Sequence, residues 1–373
     1  MSLQYLLGGQ LNFMQAHGFE VLAISADGKE REAILTSGIR HQVIPFTRRI
    51  TPLQDLLCLW QLIKVFSKEK PDIVHTHTPK AGLLGMLAAF FCRVPVRLHT
   101  VAGLPLMEAG GLKRSLLALT EKITYAAAHQ VYPNSKGLQN FIQSAFKLNS
   151  SKMKMIANGS SNGIDTTYFT AHDALRTAAK AIRIQNGVPA HACVFLFIGR
   201  VVRDKGIHEL LQAFKNINKK RDDVYLFLVG PLEQELDPLD AAALNYMHES
   251  NNIILTGFQK DVRPWLLASD VFVFPSYREG FPNVVMQAAC MEIPCIVSDI
   301  NGCNELIQHE ESGLIVPPKN TEALQAAMEK LKNEAQLRIQ FANKAADFVR
   351  THFSQQYVWQ ALLEEYQVLL KQK

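Results

Sequence analysis

Short apolar runs recur along the whole chain, separated by longer stretches in which apolar residues return every three or four positions. The runs read as buried strands and the stretches between them as helices packed on those strands. In the first half the strand-like runs are 21–25, 42–46, 72–76, 96–100, 130–133 and 154–157; in the second they are 193–198, 225–229, 252–256, 271–274, 295–298 and 314–316. Two successive series of alternating strand and helix predict an α/β protein with two parallel sheets covered by helices. Residues 158–165, NGSSNGID, are rich in turn formers and fall between the two series as a hinge. The tail 354–370 predicts a helix that places Tyr357, Val358, Leu362, Tyr366 and Leu369 on one apolar face.

A chain of 373 residues is too long for one core. The expected domains are 1–163 and 164–354, with 355–373 as a final helix packing back toward the first domain. A doubly wound domain ordinarily opens with a strand, yet residues 5–14 read as a helix with almost nothing before them. The opening strand is therefore expected to be missing, or Met1-Ser2-Leu3 to be the scar of an internal start. The loop that follows such a strand lies at the ligand-binding edge of the sheet, so activity depends on it. The longest strongly apolar run, 81–92, is too short to span a bilayer and predicts a buried helix. No secretory signal opens the chain, and the six cysteines show no C-x-x-C spacing; both fit a cytoplasmic protein with reduced thiols.

The net charge of +5 is uneven: residues 1–165 hold 18 Lys and Arg against 10 Asp and Glu, and the remainder 21 against 24. The basic half favours an anionic surface or substrate. No dense Lys/Arg block is present, and nucleic acid is not an expected partner.

The chemistry concentrates between Val271 and Glu305. A strand, the turn PSYREG and a helix beginning near Pro282-Asn283 form an anion site, because free N–H groups and the helix dipole point outward there. Glu279 beside that site fits a phosphate that carries a neutral, hydroxyl-rich group, which points to a nucleotide-sugar. In FIGRVVRDKG, Gly199-Arg200 ends a strand and Lys205-Gly206 follows; two cations there can hold a diphosphate. A solvated loop is the competing explanation. There is no D-x-D triplet to hold a divalent metal, no G-x-G and no P-loop signature. In the first half, His75-Thr-His77-Thr-Pro-Lys80 and His99 end strands and are expected to converge at one sheet edge. His99 is expected to face a cleft, touching the sugar or assisting the acceptor hydroxyl. Zinc is disfavoured, because no Cys or Glu stands at ligand spacing.

The motifs GR-x(4)-KG, PSYREGFPNVV-x-Q and SD-x-NG-x-NE resemble the carboxyl-terminal domain of the retaining glycosyltransferases of family four. HTHTPKAGLLG, HTVAGLP and YPNSKGL are similar to the amino-terminal blocks of the bacterial subgroup that builds capsule, O-antigen, lipopolysaccharide and related lipid-linked glycans. The resemblance covers nearly the whole chain. It implies the GT-B fold, two facing Rossmann-like doubly wound domains with a central cleft. It further implies that Arg200 and Lys205 contact the donor diphosphate and that Glu279 contacts the donor sugar. Gly199, Gly230, Gly280, Phe281, Pro282, Asn283 and Val284 would line the donor site. Gln287 stands where the family has a second glutamate that accepts from ribose; an amide oxygen still accepts, without the charge. Met291-Glu292 stands where the family commonly has a glycine.

The implied reaction is transfer of a hexosyl group, an N-acetylhexosamine or a derivative, from a UDP-sugar with retention and without a metal or other cofactor. The expected acceptor is a polyprenyl-diphosphate-linked glycan or a polysaccharide. His77, Lys80, Lys113 and Arg114 are the candidates on the acceptor side. LPLMEAGGLKRSLL (104–117) mixes apolar residues with Lys113-Arg114 and could rest on the anionic cytoplasmic face of the inner membrane. Two rival readings stand beside this one: a truncated, non-catalytic homologue that still binds nucleotide-sugar, and a UDP-sugar epimerase.

Overall fold

The computed structural model describes residues 7–28, 31–47, 50–107, 109–218, 223–235 and 237–372. The expectations for Met1-Ser2-Leu3 and for the start of the first helix lie outside these residues. The chain divides into two compact units, Met1–Gly163 with Gln355–Lys373, and Ile164–Ser354.

In the first unit, β1 (Leu22–Ser25) pairs in parallel with β2 (Arg40–Val43). A separate parallel sheet runs β3 (Ile73–Thr76), β4 (Val96–Val101) and β5 (Gln130–Pro133) in that order. The expected run 42–46 is displaced toward Arg40 because its partners on β1 set the register. The run 154–157 forms no strand: only Met153 bridges to β5, and Ala157 takes φ +50°, which ends an extended path.

Alternation along β3, β4 and β5 sorts side chains onto two faces. Val74, Val101 and Val131 face the helices Pro52–Glu69, Pro79–Phe91 and Gly111–Ala127 in one core. Val96, Leu98 and Tyr132 face the helices Gln10–Ala16 and Gln355–Lys371 in another. On the last helix, Val358, Leu362 and Leu363 are buried, whereas Tyr357 is exposed. Glu365 is buried too, accepting a hydrogen bond from the Tyr132 hydroxyl at 3.1 Å and pairing with Lys154. Val358, Leu362, Tyr366 and Leu369 thus lie on the packed face as expected, Tyr357 does not, and a phenol and an ammonium group recruit a carboxylate into that face.

The second unit holds one six-stranded parallel sheet. Its strands are β6 (Cys193–Ile198), β7 (Val224–Val229), β8 (Ile253–Gly257), β9 (Val271–Phe274), β10 (Cys295–Ser298) and β11 (Gly313–Val316). Their order is β11-β10-β9-β6-β7-β8. Every residue of β6, β9 and β10 is buried, as continuous apolar runs covered on both faces require. The six cysteines form no disulfide, and all but Cys92 are buried.

Candidate active site

The strand order puts a switch point between β6 and β9: β7 and β8 continue to one side, β10 and β11 to the other. The carboxyl ends of strands at such a point border a crevice. The turns leaving β6 and β9 carry Gly199-Arg200 and the loop 275–279, so motifs far apart in sequence meet there. Lys205, on the single turn Arg203–Lys205, reaches across: its Nζ lies 2.5 Å from Glu279 Oε1. Ser276 Oγ donates to the same carboxylate oxygen at 3.1 Å. Arg200 pairs with Glu233 at 3.2 Å, a carboxylate that sequence reasoning did not single out. Arg200 and Lys205 thus each have a carboxylate counterion.

The two loops are tied together by neighbours. Arg278 pairs with Asp204 at 2.9 Å, and the Tyr277 amide donates to the Asp204 carbonyl at 2.9 Å. The Tyr277 hydroxyl donates to Glu209 at 2.7 and 2.8 Å, and burial together with that carboxylate pushes the phenol up from its ordinary range.

Two glycines set the walls. A Cβ on Gly230 would lie 1.8 Å from the Gly199 carbonyl oxygen, so the ends of β7 and β6 pass too closely for any side chain. A Cβ on Gly302, whose φ is +74°, would lie 2.8 Å from both the Gly280 carbonyl oxygen and Phe281 Cα. Gly302 lets the turn after β10 press on the entrance of the helix Asn283–Cys290. In the sequence Gly302 lies within SD-x-NG-x-NE, and nothing local marks this role. Pro282 precedes that helix with no side-chain cap, Phe281 packs 5.2 Å from the Phe353 ring, and Asn283 is exposed. Val284 and Gln287 follow on the same helix, half-buried. Its far end explains the missing glycine: Glu292 takes φ +61°, a left-handed position that glycine fills without strain. Glu292 is held there by Arg350 at 2.9 Å.

In the first unit the histidines do not converge on one face. His75 lies on the face covered by the last helix, with Nδ1 2.6 Å from the Tyr366 hydroxyl and Nε2 2.7 Å from Thr100 Oγ1. His77 stacks on it at 4.2 Å between ring centroids. His99 points to the other face, because its place in β4 has the opposite parity to that of Thr100. It is 2% exposed, its Nδ1 lies 2.8 Å from Thr76 Oγ1, and its ring fills the space beside Gly82, where a Cβ would come within 2.4 Å. His99 is thus a core residue rather than one presented to a ligand. Burial lowers all three: His77 to about 4, His99 to about 3, and His75 well below its usual value. His75, His77, Thr100, Asn134 and Ser161 line a small cavity in this unit.

Lys80 is committed to Asp55 at 2.8 Å and to Thr47 Oγ1 at 2.8 Å, which ties Pro79–Phe91 to Pro52–Glu69. Lys113 and Arg114 are exposed on the first turn of Gly111–Ala127.

Two α/β units built on parallel sheets, one with a cation-lined crevice at its switch point, fit the GT-B class of transferases. Residues 10–168 match the model of Glycosyltransferase Family 4, and residues 179–348 that of Glycosyl transferases group 1. The chain is 35% identical over 367 residues, 98% of its length and 94% of the other's, to the capsular polysaccharide biosynthesis glycosyltransferase CapM of Staphylococcus aureus. It is 29% identical, over 87% of its length and 83% of the other's, to an Escherichia coli protein, UDP-Gal:alpha-D-GlcNAc-diphosphoundecaprenol alpha-1,3-galactosyltransferase. Among solved structures, a glycosyltransferase from Rickettsia africae superposes with a TM-score of 0.82 at 20% identity, covering 100% of this chain and 96% of that one. Anabaena HepE in complex with UDP and glucose superposes with 0.79 at 20% identity, covering 97% and 96%. This chain belongs to glycosyltransferase family 4.

Proposed function

We propose that the chain is a retaining, metal-independent transferase that moves a hexosyl group, an N-acetylhexosamine or a derivative, from a UDP-sugar to a polyprenyl-diphosphate-linked glycan. The reading rests on one observation, the Lys205–Glu279 pair at the switch-point crevice beside the entrance of the helix Asn283–Cys290. The name of the Escherichia coli relative, with a UDP-sugar donor and a diphosphoundecaprenol acceptor, supports the two substrate classes.

Breaking the anomeric C–O bond builds negative charge on the departing diphosphate. Arg200, Lys205 and the amides of the helix entrance meet that charge, the two cations by exchanging or sharing their carboxylate partners with phosphate oxygens, which is electrostatic catalysis. Glu279 accepts from the sugar hydroxyls, and its carboxylate holds Lys205 in place until the diphosphate arrives. Attack comes from the face the diphosphate leaves, and a phosphate oxygen takes the proton of the acceptor hydroxyl. Work at the cytoplasmic face of the inner membrane, in capsule or O-antigen assembly, follows from a lipid-borne acceptor.

The test is transfer from a panel of UDP-, GDP- and TDP-sugars to a polyprenyl-diphosphate sugar, with and without EDTA. Lys205→Ala and Arg200→Ala are each expected to lower turnover by about 10²–10³-fold, as loss of a preorganised charge does. Near-normal turnover in both would remove the diphosphate assignment, and inhibition by EDTA would remove metal independence.

A further inference from the structure

Lys205 and Glu279 meet although they stand on different loops, one after β6 and one after β9. Neither loop by itself fixes the distance between them. The loop 275–279 sorts its side chains: Ser276 and Glu279 turn toward Lys205, and Tyr277 and Arg278 turn away from it. Each of the latter two meets an acid on the elements that follow β6. The Tyr277 hydroxyl lies 2.8 and 2.7 Å from the two carboxylate oxygens of Glu209, in the first turn of the helix Ile207–Asn218. Arg278 Nη2 and Nε donate to Asp204 Oδ2 at 2.9 and 3.3 Å. The root of the loop rests on the same stretch: a Cβ on Gly206, whose φ is +70°, would lie 2.1 Å from the Pro275 carbonyl oxygen.

The two side-chain ties are not equal. Arg278 is 47% exposed, so water screens its pair with Asp204 and the pair is weak. The Tyr277–Glu209 bond joins half-buried groups and is charge-assisted, which makes it roughly twice as strong as a neutral bond. Among the described residues no cation pairs with Glu209, so its carboxylate is committed to the phenol. The helix that carries Glu209 cannot shift, because Ile207, Leu210, Leu211 and Phe214 anchor it in the core. Lys319, on the turn between β11 and the helix Thr321–Asn333, closes the other side, with its Nζ 4.8 Å from the centroid of the Tyr277 ring. The Tyr277 amide donates to the Asp204 carbonyl at 2.9 Å, so Tyr277 is held by backbone and hydroxyl alike, two residues from Glu279.

We infer that Glu209 is a positioning residue: through the Tyr277 hydroxyl it fixes the loop 275–279 and thereby sets the reach of Glu279 to Lys205. What the Lys205–Glu279 pair does to a donor rests on the function proposed above; the link from Glu209 to the pair does not. Groups that act on a substrate keep their geometry only when the residues behind them are locked by packing and hydrogen bonds. Glu209 supplies that lock from a buried helix rather than from another loop.

The experiment compares Tyr277→Phe, Glu209→Ala and Glu209→Gln with the unaltered full chain. The first reading is the rate at which N-hydroxysuccinimidyl acetate labels Lys205, followed by peptide mass spectrometry without nucleotide. Lys205 is 14% exposed and paired, so slow labelling is expected in the unaltered chain. Tyr277→Phe and Glu209→Ala are each expected to label about tenfold faster, the weight of one hydrogen bond to a charged group. Glu209→Gln keeps an acceptor for the phenol and is expected to restore slow labelling. The second reading is transfer. In Tyr277→Phe and Glu209→Ala, kcat is expected to fall about tenfold or more while the Kd for UDP stays within about twofold, because a misplaced group costs turnover before it costs binding. Glu209→Gln is expected to recover kcat. Unchanged labelling in both Tyr277→Phe and Glu209→Ala overturns the inference. Equal acceleration at every lysine also overturns it, in favour of a general loss of fold, and so does a loss of UDP affinity as large as the loss of kcat. Faster labelling of Lys205 alone, in a chain that transfers sugar from no donor, removes the proposed activity and leaves the positioning role standing.

Discussion

Arg200 and Lys205 are each held by a carboxylate, and the two pairs differ in consequence. Glu279 lines the switch-point crevice and is half-buried with Lys205, so under the proposed function its removal would subtract an acceptor for the sugar and leave Lys205 to the diphosphate. Glu279→Gln is expected to lower transfer while UDP affinity is kept, read by calorimetric titration; equal loss of UDP affinity would take Glu279 off the sugar. Glu233 is half-exposed and, under the proposed function, would compete with an incoming phosphate for Arg200. An exposed pair is worth little, so Glu233→Gln is expected to tighten UDP binding roughly two- to fivefold. A weaker complex would mean that Glu233 orients Arg200 instead. Of these residues, Arg200, Lys205 and Glu279 were legible in the sequence because each lies within a few positions of a strand end. Glu233 was not, because nothing local marks a side chain that meets its partner 33 positions away.

At the scale of elements, the end of the helix Asn283–Cys290 carries an L-residue where a left-handed turn is needed. Glu292→Gly relieves that strain and gives up an exposed ion pair. The variant is expected to be more stable by about 0.5–1 kcal/mol, a small upward shift in melting temperature; a downward shift would mean that the Arg350 contact outweighs the strain. In the sheet β3-β4-β5, burial depresses His75, His77 and His99, so the unfolded chain binds more protons than the folded one at acid pH. Stability from these groups is complete above the unfolded value near 6.5 and is lost as pH falls toward about 4 and then 3. Glu121, raised to about 7, works the other way, losing stability between its usual value and 7 as pH rises. Three histidines outweigh one carboxyl, so melting is expected at lower temperature at pH 5 than at pH 7, and His99→Phe is expected to flatten the slope. A melt independent of pH would contradict the neutral, buried state of these rings. The sequence placed all three at strand ends, but their assignment to opposite faces follows from strand register, which the residue types alone do not reveal.

For the molecule as a whole, the decisive fact is how the chain is partitioned. The second unit is continuous, Ile164–Ser354, with its own six-stranded sheet. The first borrows Gln355–Lys373 from the far end of the chain, and Leu362, Leu363 and Glu365 cover Leu98 and Tyr132. Ending the chain after Ser354 is therefore expected to remove the cooperative melting of the first unit while UDP still raises the melting temperature of the second. Loss of the UDP response would show that the donor site depends on the first unit. The sequence by itself determined the two βα series, all six of the second unit's strands to within a residue, and the motifs of the switch-point crevice, because period, glycine turns and charge are local properties of a chain. Only the tertiary structure decided that His99 is core while His75 meets Tyr366, and that Glu233 guards Arg200. Those outcomes depend on which distant segments come to lie against each face of a sheet, and the free energy that selects them comes from contacts spread over the whole fold.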